Sequence, residues 1–538
     1  MQQIKKRGIS LIVLIVTIIV VIILAAVVVL TLSKNNPINS SKEATFREDI
    51  YNFKTELELY KAKISGNGED VTKLYANKDS DPSITDVISS ISKKYIDKLE
   101  VREGKLAYVG KDKTEYLLAR EINILPEDEL LDDDILTELK PFITEWTVEA
   151  GDSITLPISG TCNFAVDYGD GTGELKVTSA TDEDRVHTYE NAGTYVVTIN
   201  GKCNTFSFIT VPVSATKITK VNQFGAINLN NISFSGCTSL KSITEPVKNS
   251  FIKLNNGSFA KMFYKCTNLE SIPEKLFFNI PNNVTDLSNT FSYCSNIKII
   301  PEKLLIKFPN VTSLADTYGG GTFTGTSITT IPDKLFMHNP KIQRVHGTFS
   351  YCTKLVNIPE NLFANNSDIV YFGCASGGHG CFKGCDNLKN IPPKLFANNA
   401  KASNFTNVFQ NCSNIEEIPQ GLFDNNINIK ELYGTFEGCT SLRRIPNDIF
   451  KNNTEVTTFR GCFSGCVNLE YLPEGIFDNC NKVESFYWTF GNCSKMQGEA
   501  PKLWERENID TTKEYNYRCC FSNCKRLSNY NEIPRSWK

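Results

Sequence analysis

A repeated unit fills the C-terminal 325 residues of this 538-residue chain, and it constrains the fold more than any other feature. The unit reads F-x-x-C-x-x-[LI]-x-x-I-P-x-x-L-F-x-N-N-x-x-V-x-x-F-x-x-T, with a weaker copy at Phe323, where Thr326 replaces the cysteine, and irregular copies at Phe490 and Phe521. Eleven copies begin at Phe234, Phe263, Phe291, Phe323, Phe349, Phe382, Phe409, Phe436, Phe463, Phe490 and Phe521. This periodicity indicates a solenoid, in which each coil buries its apolar side chains only by stacking on its neighbours.

Each copy contains signals for one short strand and one turn. The step L-x-x-I-P suits a very short strand that proline ends, because proline cannot donate to a strand ladder. The step L-F-x-N-N suits a helical turn closed by asparagine, which tolerates the left-handed conformation. Stacked coils of this kind are expected to form one parallel sheet face along the solenoid.

The iterated F-x-x-C-x-x-L-x-x-I-P pattern resembles the BspA-type leucine-rich-repeat proteins, which are exposed on the surface of bacteria and some protozoa. The resemblance extends over most of residues 214–538 and implies a leucine-rich-repeat solenoid. It also implies adhesion or ligand binding at a bacterial surface, with an extracellular protein or glycan as the partner. It does not identify that ligand.

Cysteine is unusually frequent, at 18 residues, and most of these residues follow the repeat. Ten share one phase: Cys237, Cys266, Cys294, Cys352, Cys385, Cys412, Cys439, Cys466, Cys493 and Cys524. Neighbouring coils of a parallel sheet would hold these side chains about 4.8 Å apart and in parallel, which aims them poorly for disulfide bonds. We therefore expect buried thiols that pack as small apolar side chains.

One stretch of the repeat region has the composition of a zinc site, since thiolates and imidazole are zinc ligands. Its members are Cys374, His379, Cys381 and Cys385. The alternative is a plain glycine-rich loop beside core cysteines, because the position of Cys381 holds Thr, Val or Met in other copies. We favour this alternative and predict no metal and no other cofactor.

Two glycine-rich insertions fall at the same phase of the repeat. One is Asp316–Gly321, and the other is the stretch 374–381, which lengthens one step between core cysteines to 33 residues. Insertions at one phase project from one edge of a solenoid, often the edge that binds a ligand. The candidate ligand-binding residues of these edge loops are Tyr318, Tyr371, Phe372 and His379. Neutral loop growth is the alternative explanation.

Residues 141–213 change to alternating, β-branched segments separated by glycine and aspartate, which is typical of a β-sandwich. The motif V-D-Y-G-D-G-T occupies 166–172, and H-T-Y at 187–189 is followed by G-T-Y-V-V-T-I at 193–199. Together these motifs resemble the polycystic-kidney-disease (PKD) type β-sandwich. The resemblance implies an extracellular spacer or a binding unit and not a catalyst.

For each of two residue pairs in this segment, the sequence leaves two interpretations open. Asp167 and Asp170 could bind calcium through their oxygens, or they could accept hydrogen bonds from N–H groups of their own turn. We favour the second interpretation. Cys162 and Cys203 are the only cysteines of the segment, and a disulfide between them is possible in an oxidising exterior. Their spacing in the sequence alone does not decide this pairing.

Ile9–Leu32 is an apolar run of 24 residues. About 20 apolar residues span a bilayer as a helix, so the run predicts a transmembrane helix over 9–32. Lys5, Lys6 and Arg7 precede the run, and this positive charge favours a cytoplasmic N-terminus. The expected localisation is the cell membrane, as a single-pass protein whose C-terminal region lies outside the cell at its surface.

The start K-K-R-G-I-S-L-I-V-L-I-V resembles the leader of type IV prepilins. In that family a basic leader ends in glycine and prepilin peptidase cuts before an apolar helix. The resemblance therefore implies cleavage between Gly8 and Ile9 and contact with pilus machinery. The family usually has Glu at the fifth mature position, where this chain has Val13. A minor or tip-located pilin-like subunit, or a plain anchor, fits this departure better than a major filament subunit.

The fold class predicted from the whole sequence is multidomain. It comprises an N-terminal transmembrane α-helix, a small α+β module, a PKD-like β-sandwich and a C-terminal leucine-rich-repeat solenoid. Within the α+β module, Ser83 begins a predicted helix over 83–94, and 98–108 predicts a hairpin. The predicted domains are the leader 1–8, the transmembrane and amphipathic pilin-like helix 9–64, the α+β module with an acidic linker 65–140, the β-sandwich 141–213 and the solenoid 214–538.

Charge and motifs exclude several classes of function. Lys+Arg 57 against Asp+Glu 60 gives a net charge of −3, so the chain lacks the basic footprint of a nucleic-acid-binding protein. No catalytic motif occurs in a fitting context, and no catalytic residue is predicted. We predict a membrane- or pilus-anchored bacterial surface protein that binds ligands as an adhesin does. The alternatives are a structural minor pilin or pseudopilin of a pilus or secretion apparatus, and a surface hydrolase.

Overall fold

The computed structural model describes most of the chain beyond its N-terminal region. The described residues are 40–66, 82–102, 104–110, 115, 118–119, 124, 140–247, 250, 257–278, 280, 283–374, 376 and 378–538. The chain divides into two compact units, Met1–Asp133 and Asp134–Lys538.

No helix within these described residues is long and apolar enough to cross a membrane. The predicted fold class is therefore wrong in its first element, and the transmembrane helix over 9–32 is not retained. Those residues, with the predicted cleavage point between Gly8 and Ile9, lie outside the described residues. The longest described helix, α1 (Ser40–Gly66), carries Lys, Arg, Glu and Asp along its length, which excludes it from a bilayer core. The described chain is mostly β-structure with few helices.

The N-terminal unit combines helices with one hairpin. Its elements after α1 are α2 (Ile84–Val87), β1 (Leu99–Arg102) and β2 (Lys105–Tyr108), the strands being antiparallel. Phe46 on the buried stripe of α1 meets the rings of Tyr95 and Tyr108 edge-on at 5.8 Å. The helix α2 is shorter than the predicted 83–94. Ser89 and Ser90 follow it, and serine side chains compete with helical hydrogen bonding.

The second unit begins with a β-domain. Its strands are β3 (Phe142–Val148), β4 (Ser153–Thr155), β5 (Ile158–Asp167), β6 (Glu174–Val177), β7 (Val186–Thr188), β8 (Gly193–Ser207) and β9 (Ile218–Gln223). A short helix, α3 (Pro212–Ala215), separates β8 from β9. Burial alternates along β3, so one face of the strand, with Phe142, Trp146 and Val148, lies in the core. The strands therefore form by the alternation that the sequence displays.

The β-domain and the solenoid share one sheet. Two further strands, β10 (Asn231–Ser233) and β11 (Ser242–Ile243), belong to the first coil of the solenoid. The sheet order is β11-β9-β3-β8-β5-β6 with β10 on β8, and β4 pairs with β7 separately. The pairs β10–β8 and β11–β9 are parallel, so both strand segments of the first coil continue the sheet. The β-domain thus covers the N-terminal end of the solenoid, and one apolar core runs through both.

Parallel bridges hold successive coils together at two positions. The first ladder joins Ser258, Asp286, Ser313, Arg344, Tyr371, Asn404, Glu431, Thr458 and Ser485, one residue per coil. The second ladder joins Glu417, Arg444 and Tyr471, which lie in the L-x-x-I-P steps of their coils. Most coils therefore contribute single bridge residues instead of full strands. The exceptions are the first coil, with β10 and β11, and the hairpin of β12 (Gly373–Cys374) and β13 (His379–Gly380).

The repeat phenylalanines form a continuous spine through the solenoid. All eleven rings stack in sequence, with centroids 5.5–5.9 Å apart and interplanar angles of 3–15°. The ten cysteines of the repeat phase are buried and unpaired. Most of these thiols donate to the carbonyl of the spine phenylalanine in the preceding coil, as Cys439 does to Phe409 at 3.2 Å. The thiol therefore ties neighbouring coils together as well as filling space.

A second internal column consists of buried asparagines. Its members are Asn339, Asn366, Asn399, Asn426 and Asn453. Each Nδ2 donates to two backbone carbonyls of the preceding coil, as Asn426 does to Phe396 and Asn399 at 3.0 Å. Cys480 takes the position of the asparagine in the next coil. In the coil after that, the guanidinium of Arg506 takes this position and donates to the Cys480 carbonyl. Short 3-10 helices complete the chain at Glu183–Arg185, Phe208–Thr210, Leu503–Glu505, Glu514–Asn516, Tyr530–Glu532 and Arg535–Trp537.

Candidate ligand-binding face

The outward side chains along the first ladder form a continuous surface, here called the ladder face. In the coil of Phe436, the bridge residue Glu431 and Tyr433 remain partly exposed, whereas Leu432 between them is buried. Extended backbone has this alternation, because successive side chains point to opposite faces. Side chains three positions before each spine phenylalanine therefore form one row, here called the central row. In the last seven coils its members are His346, His379, Thr406, Tyr433, Arg460, Tyr487 and Arg518.

Backbone hydrogen bonds hold the central row in register. From Thr406 onward, the residue after each member donates its N–H to the carbonyl of the next coil's member, as Gly434 does to Arg460 at 2.8 Å and Gly461 to Tyr487 at 2.8 Å. Trp488 donates to Arg518 in the same way at 3.2 Å. His346 and Thr406 are buried, whereas the last four members of the row, from Tyr433 to Arg518, are presented one per coil from a rigid ladder, which is how a scaffold preorganises a binding surface.

Three consecutive members of the central row form a cation–π stack. The guanidinium of Arg460 lies 5.3 Å from the ring centroid of Tyr433 and 4.8 Å from that of Tyr487. A guanidinium is attracted to the electron-rich faces of aromatic rings, so each ring restrains the arginine. Arg460 remains exposed, and no carboxylate among the described residues lies within ion-pair distance of it.

Left-handed backbone shapes the same surface. The position two residues after the spine phenylalanine has positive φ in most coils, and glycine or asparagine usually occupies it because other residues are strained there. Tyr293 and Tyr351 are exceptions, at φ 60° and 58°. A Cβ added to Gly325 would lie 2.8 Å from the Tyr293 ring, and one on Gly384 would lie 2.7 Å from that of Tyr351. Each tyrosine ring therefore lies against the glycine of the next coil.

The two insertions predicted from sequence pack against each other on this surface. Asp316 orders its own loop by accepting hydrogen bonds from the N–H groups of Tyr318 (3.0 Å) and Gly320 (2.8 Å). Ser376 of the β12–β13 hairpin donates to the carbonyl of Thr317 at 3.1 Å. A Cβ on Gly319 would lie 2.7 Å from that of His379, so the loops are in close contact there.

The predicted edge-loop residues have different environments. Tyr318 is 78% exposed, and Tyr371 is a bridge residue of the first ladder with 41% exposure. His379 belongs to the central row, and its ring meets that of Tyr351 edge-on at 5.8 Å. Phe372 is fully buried among core phenylalanines, since the residue after a bridge position points inward. Phe372 is therefore removed from the set of ligand contacts.

Buried polar groups surround the first loop. His346 Nε2 donates to the carbonyl of Asp316 at 2.7 Å, which leaves Nδ1 as a buried acceptor without a partner among the described residues. Burial lowers the pKa of His346, outweighing that hydrogen bond, which acts in the opposite direction. Burial also lowers the pKa of His379. Both imidazoles are therefore held in the neutral form near pH 7.

Glu437 and Lys383 each directly follow the spine phenylalanine of their own coil. Burial raises the pKa of Glu437, although the hydrogen bond from Gln410 Nε2 at 2.7 Å and the charge of Lys383 oppose this shift. Burial lowers the pKa of Lys383, whose Nζ donates to the carbonyl of Gly378 at 2.6 Å. The charges of this part of the ladder face are therefore partly shielded from solvent.

The predicted metal alternatives have little geometric support. Within the described ranges, no group of three His, Cys, Asp or Glu residues could hold a metal ion. Cys381 and Cys385 are buried in the solenoid core. In the β-domain, Asp167 accepts from the N–H of Gly169, and Asp170 accepts from Thr172 and from His187 Nε2 at 2.6 Å. These aspartates therefore close their turn, as the favoured interpretation states.

Cys162 and Cys203 face each other directly on the antiparallel strands β5 and β8, with their Sγ atoms 2.8 Å apart. Both thiols are buried and unpaired, so the structure brings together the two residues proposed as a disulfide without joining them.

Sequence reasoning missed the functional potential of Tyr433, Arg460 and Tyr487. Their repeat position changes type from coil to coil, and a pattern of identical residues passes over such a position. Aligning the copies by their spine phenylalanines would have shown that this variable position carries aromatic and basic residues in consecutive coils.

Comparisons with known proteins give only distant similarities. No protein-family model matches the sequence, and no curated protein matches it either. The Toll structure from the Toll–Spatzle complex of Drosophila covers 52% of this chain, at 15% identity and a TM-score of 0.27. The structure of TLR13 with ssRNA13 covers 60%, at 14% identity and a TM-score of 0.21. An internalin from Listeria monocytogenes covers 53%, at 12% identity and a TM-score of 0.19.

These three are leucine-rich-repeat proteins. The alignments cover 40%, 46% and 77% of their chains, so this chain spans less than half of the first two. At such TM-scores the likeness carries no functional weight, and the solenoid assignment stands on the bridges and ring stacks of this chain. The BspA-type subfamily, the prepilin-like leader and the PKD-like identity of the β-domain remain predictions.

Proposed function

We propose that this protein is an extracellular ligand-binding protein of a bacterial surface, with an adhesin-like role, and that its ladder face is the binding surface. The observation that carries the proposal is the stack of Tyr433, Arg460 and Tyr487 in consecutive coils. Tyrosine and arginine are enriched where interfaces concentrate their binding energy. Here both types are partly exposed and already ordered, so little conformational entropy remains to be lost on binding.

On another surface of the solenoid, polar side chains bond to neighbouring coils. Lys401 pairs with Asp368 at 2.7 Å and Lys482 with Glu455 at 2.6 Å, each bridging adjacent coils. Asn425 similarly donates to the carbonyl of Ala397 in the preceding coil at 2.9 Å. Groups that bond to a neighbouring coil stabilise the stack and have fewer donors left for a ligand, which favours the ladder face as the binding surface.

The edge loops add a second contact region to this proposal. Tyr318 and Tyr371 are exposed and held by a loop and a ladder, respectively, and His379 joins the loops to the central row. A ligand that covers several coils would meet both regions, because both lie on the ladder face. The partner class proposed at this level is an extracellular protein or a glycan.

Binding is proposed in preference to catalysis because the candidate acids and bases of the ladder face, Asp316, His346, Glu437 and Lys383, are engaged in hydrogen bonds or shielded from solvent. The Asp316 carboxylate accepts a hydrogen bond from an N–H group of its own loop, and His346 donates to a backbone carbonyl. Glu437 and Lys383 are partly buried, and Lys383 bonds a carbonyl. Ser350 Oγ lies 3.5 Å from His379 Nδ1, but Ser350 is fully buried, so this pair offers a substrate no accessible nucleophile of the kind that a hydrolase needs.

The prepilin resemblance supports a separate proposal, that prepilin peptidase processes the chain between Gly8 and Ile9 and that pilus machinery displays it. N-terminal sequencing of the protein from its native cell tests this directly. A mature start at Ile9 is expected, and an intact Met1 would contradict it. A structural minor pilin would share this start, so ligand binding separates the two roles.

The binding proposal is tested with arrays of immobilised glycans and extracellular-matrix proteins, probed with the full chain. We expect saturable binding to at least one array member and a loss of at least about tenfold in affinity in the Tyr433→Ala/Tyr487→Ala double variant. The control is Tyr471→Ala, which removes an exposed tyrosine from the second ladder. Equal loss in the control, or no loss in the double variant, would contradict the ladder face as the binding surface.

The edge loops have a separate test with the same ligand. Tyr318→Ser removes the most exposed edge-loop ring without touching the ladder. Weaker binding is expected if the loops contact the ligand, whereas unchanged binding would exclude Tyr318 from the site.

A further inference from the structure

A cavity of about 530 Å³ lies in the last coil of the solenoid. Two segments, 514–519 and 535–538, supply its lining. A backbone hydrogen bond joins the segments, from the N–H of Cys519 to the carbonyl of Ser536 at 3.2 Å. Protein cavities that bind small molecules measure roughly 300–1,000 Å³, so this cavity has the size for such a ligand.

The lining of the cavity is rich in positive charge. Its cations are Arg518, Arg535 and Lys538, against one carboxylate side chain, that of Glu514. Arg518, the last member of the central row, forms an ion pair with Glu514 at 2.6 Å. Arg535 is exposed, and no carboxylate in the described part of the chain lies within ion-pair distance of it. The side chains of the cavity therefore carry a net positive charge, in a chain whose net charge is −3.

Contacts within the last coil hold the walls of the cavity in place. The centroid of the Tyr517 ring lies 5.3 Å from that of Trp537, which is buried. The ammonium group of Lys538 lies 4.7 Å from the centroid of the Tyr530 ring, in a cation–π contact. Such restraints reduce the conformational entropy that these side chains lose when a ligand binds.

We propose that this cavity binds a small organic anion through a carboxylate or phosphate group. The guanidinium of Arg535 has parallel N–H donors that match two oxygens of such a group, and Lys538 adds a second positive charge. A long polyanion fits less well, because it requires a run of basic residues and the Glu514 carboxylate would repel it. Anion binding here does not require a ligand on the cation–π stack, so it is independent of the proposed function.

Cys519 provides a reporter on the wall of the cavity. Of the 18 cysteines, Cys374 and Cys519 are the two that are not buried. The hydrogen bond and charge of Glu514 raise the pKa of Arg518, and Cys519 contributes further, so its sulfur lies near the guanidinium. A ligand in the cavity should therefore shield the Cys519 thiol, whereas Cys374, in the β12–β13 hairpin, should not respond.

The test measures how fast iodoacetamide, an uncharged reagent, alkylates Cys519 and Cys374 in the full chain, by mass spectrometry of the digested protein. Citrate and pyrophosphate are the carboxylate and phosphate probes, and glycerol is the uncharged control. Sodium chloride keeps the ionic strength constant, so that general screening does not change the rates. Arg535→Gln removes one guanidinium from the cavity. Arg526→Gln is the matched control, since Arg526 is exposed in the same coil and does not line the cavity.

We expect citrate, pyrophosphate or both to slow the alkylation of Cys519 by about threefold or more, with Cys374 unchanged. Arg535→Gln should raise the anion concentration needed for this protection by about tenfold, and Arg526→Gln should leave it unchanged. Protection by neither anion, equal protection by glycerol, equal protection of Cys374, or full protection in Arg535→Gln would overturn the anion site. None of these outcomes affects the proposed function, which is tested at Tyr433 and Tyr487.

Discussion

Asn426 shows how one side chain holds two coils together. Its Nδ2 donates to the carbonyls of Phe396 and Asn399, and the residue is fully buried. Asn426→Ala leaves both carbonyls without this donor inside the core and opens a cavity. We expect the free energy of unfolding to fall by about 2–4 kcal/mol, measured by chemical denaturation.

The adjacent Asn425 provides the control for this prediction. It is exposed and makes one bond, to the carbonyl of Ala397. Water replaces that bond when the side chain is removed, so Asn425→Ala should cost less than about 1 kcal/mol. Equal effects of the two variants would contradict the structural role of the buried asparagine column.

His346 gives the solenoid a predictable response to acid. Its pKa is lowered from 6.5 mainly by burial, so the unfolded chain takes up this proton at a higher pH than the folded chain. The contribution to stability is therefore complete above pH 6.5 and declines as the pH falls through the lowered pKa. Thermal unfolding should show this decline beginning near pH 6.5 and continuing as the pH falls.

His346→Gln isolates the contribution of that imidazole. Glutamine keeps an N–H donor for the Asp316 carbonyl and does not titrate, so the variant should lose part of the acid-dependent decline. His379, whose pKa is also lowered by burial, accounts for a further part. An unchanged pH profile in the His346→Gln/His379→Gln double variant would show that these imidazoles do not contribute.

At the residue scale, sequence reasoning succeeded where a position repeats with one chemistry. The spine phenylalanines and the cysteine phase were identified because burial demands the same side-chain type in every coil. The hydrogen bond from the Cys439 thiol to the Phe409 carbonyl was not predicted, since the spacing of residues in a sequence does not reveal which carbonyl a thiol contacts. Phe372 was misplaced because the insertion hides the register, and a one-residue shift along extended backbone exchanges the inner and outer faces.

Strands β5 and β8 form the element on which the disulfide prediction depends. Cys162 and Cys203 are directly opposite in the register of these strands. In an oxidising exterior we expect them to lose two protons and two electrons to an external oxidant and form a bond that stabilises the β-domain by about 2–4 kcal/mol. Mass spectrometry of the unreduced protein, with free thiols blocked, measures this.

The Cys162→Ser/Cys203→Ser double variant separates the effect of the bond from other effects of oxidation. Its unfolding midpoint should be lower than that of the oxidised protein and insensitive to reductant. Two freely alkylated thiols in protein taken from an oxidising environment would rule the disulfide out.

At the element scale, local patterns predicted strands and missed their long-range partners. Alternating apolar residues indicated β3, β5 and β8, because one face of each is buried. Nothing local shows that β9 joins β3 or that β10 and β11 extend the sheet, since these pairings depend on how the first coil packs. The predicted helix over 83–94 shortened to one turn for a local reason, the serine pair that follows α2.

For the second unit as a whole, the shared sheet predicts mechanical and thermodynamic coupling. Val221 of β9 is buried and paired with Ile243 of the first coil. Val221→Ala should cost about 1–2 kcal/mol and loosen the first coils most, because each coil contacts only its neighbours. Hydrogen–deuterium exchange, read coil by coil, should show an increase that declines from Phe234 toward Phe521.

The control for this prediction is a similar truncation far along the solenoid. Val456→Ala removes a buried valine in a later coil and should raise exchange locally, with little effect on the β-domain. Exchange that rises uniformly over the whole unit in both variants would contradict the coupling of the β-domain to the first coil.

Hydrogen–deuterium exchange of the full chain, with and without the tightest binder from the arrays, tests the central claim most directly. The claim is that ligand binds the ladder face. Binding should protect amides of the segment Tyr433–Gly438 and its counterparts in adjacent coils, while those around Arg444 and Tyr471 on the second ladder stay unchanged. Protection centred on the second ladder, or confined to the β-domain, would contradict it.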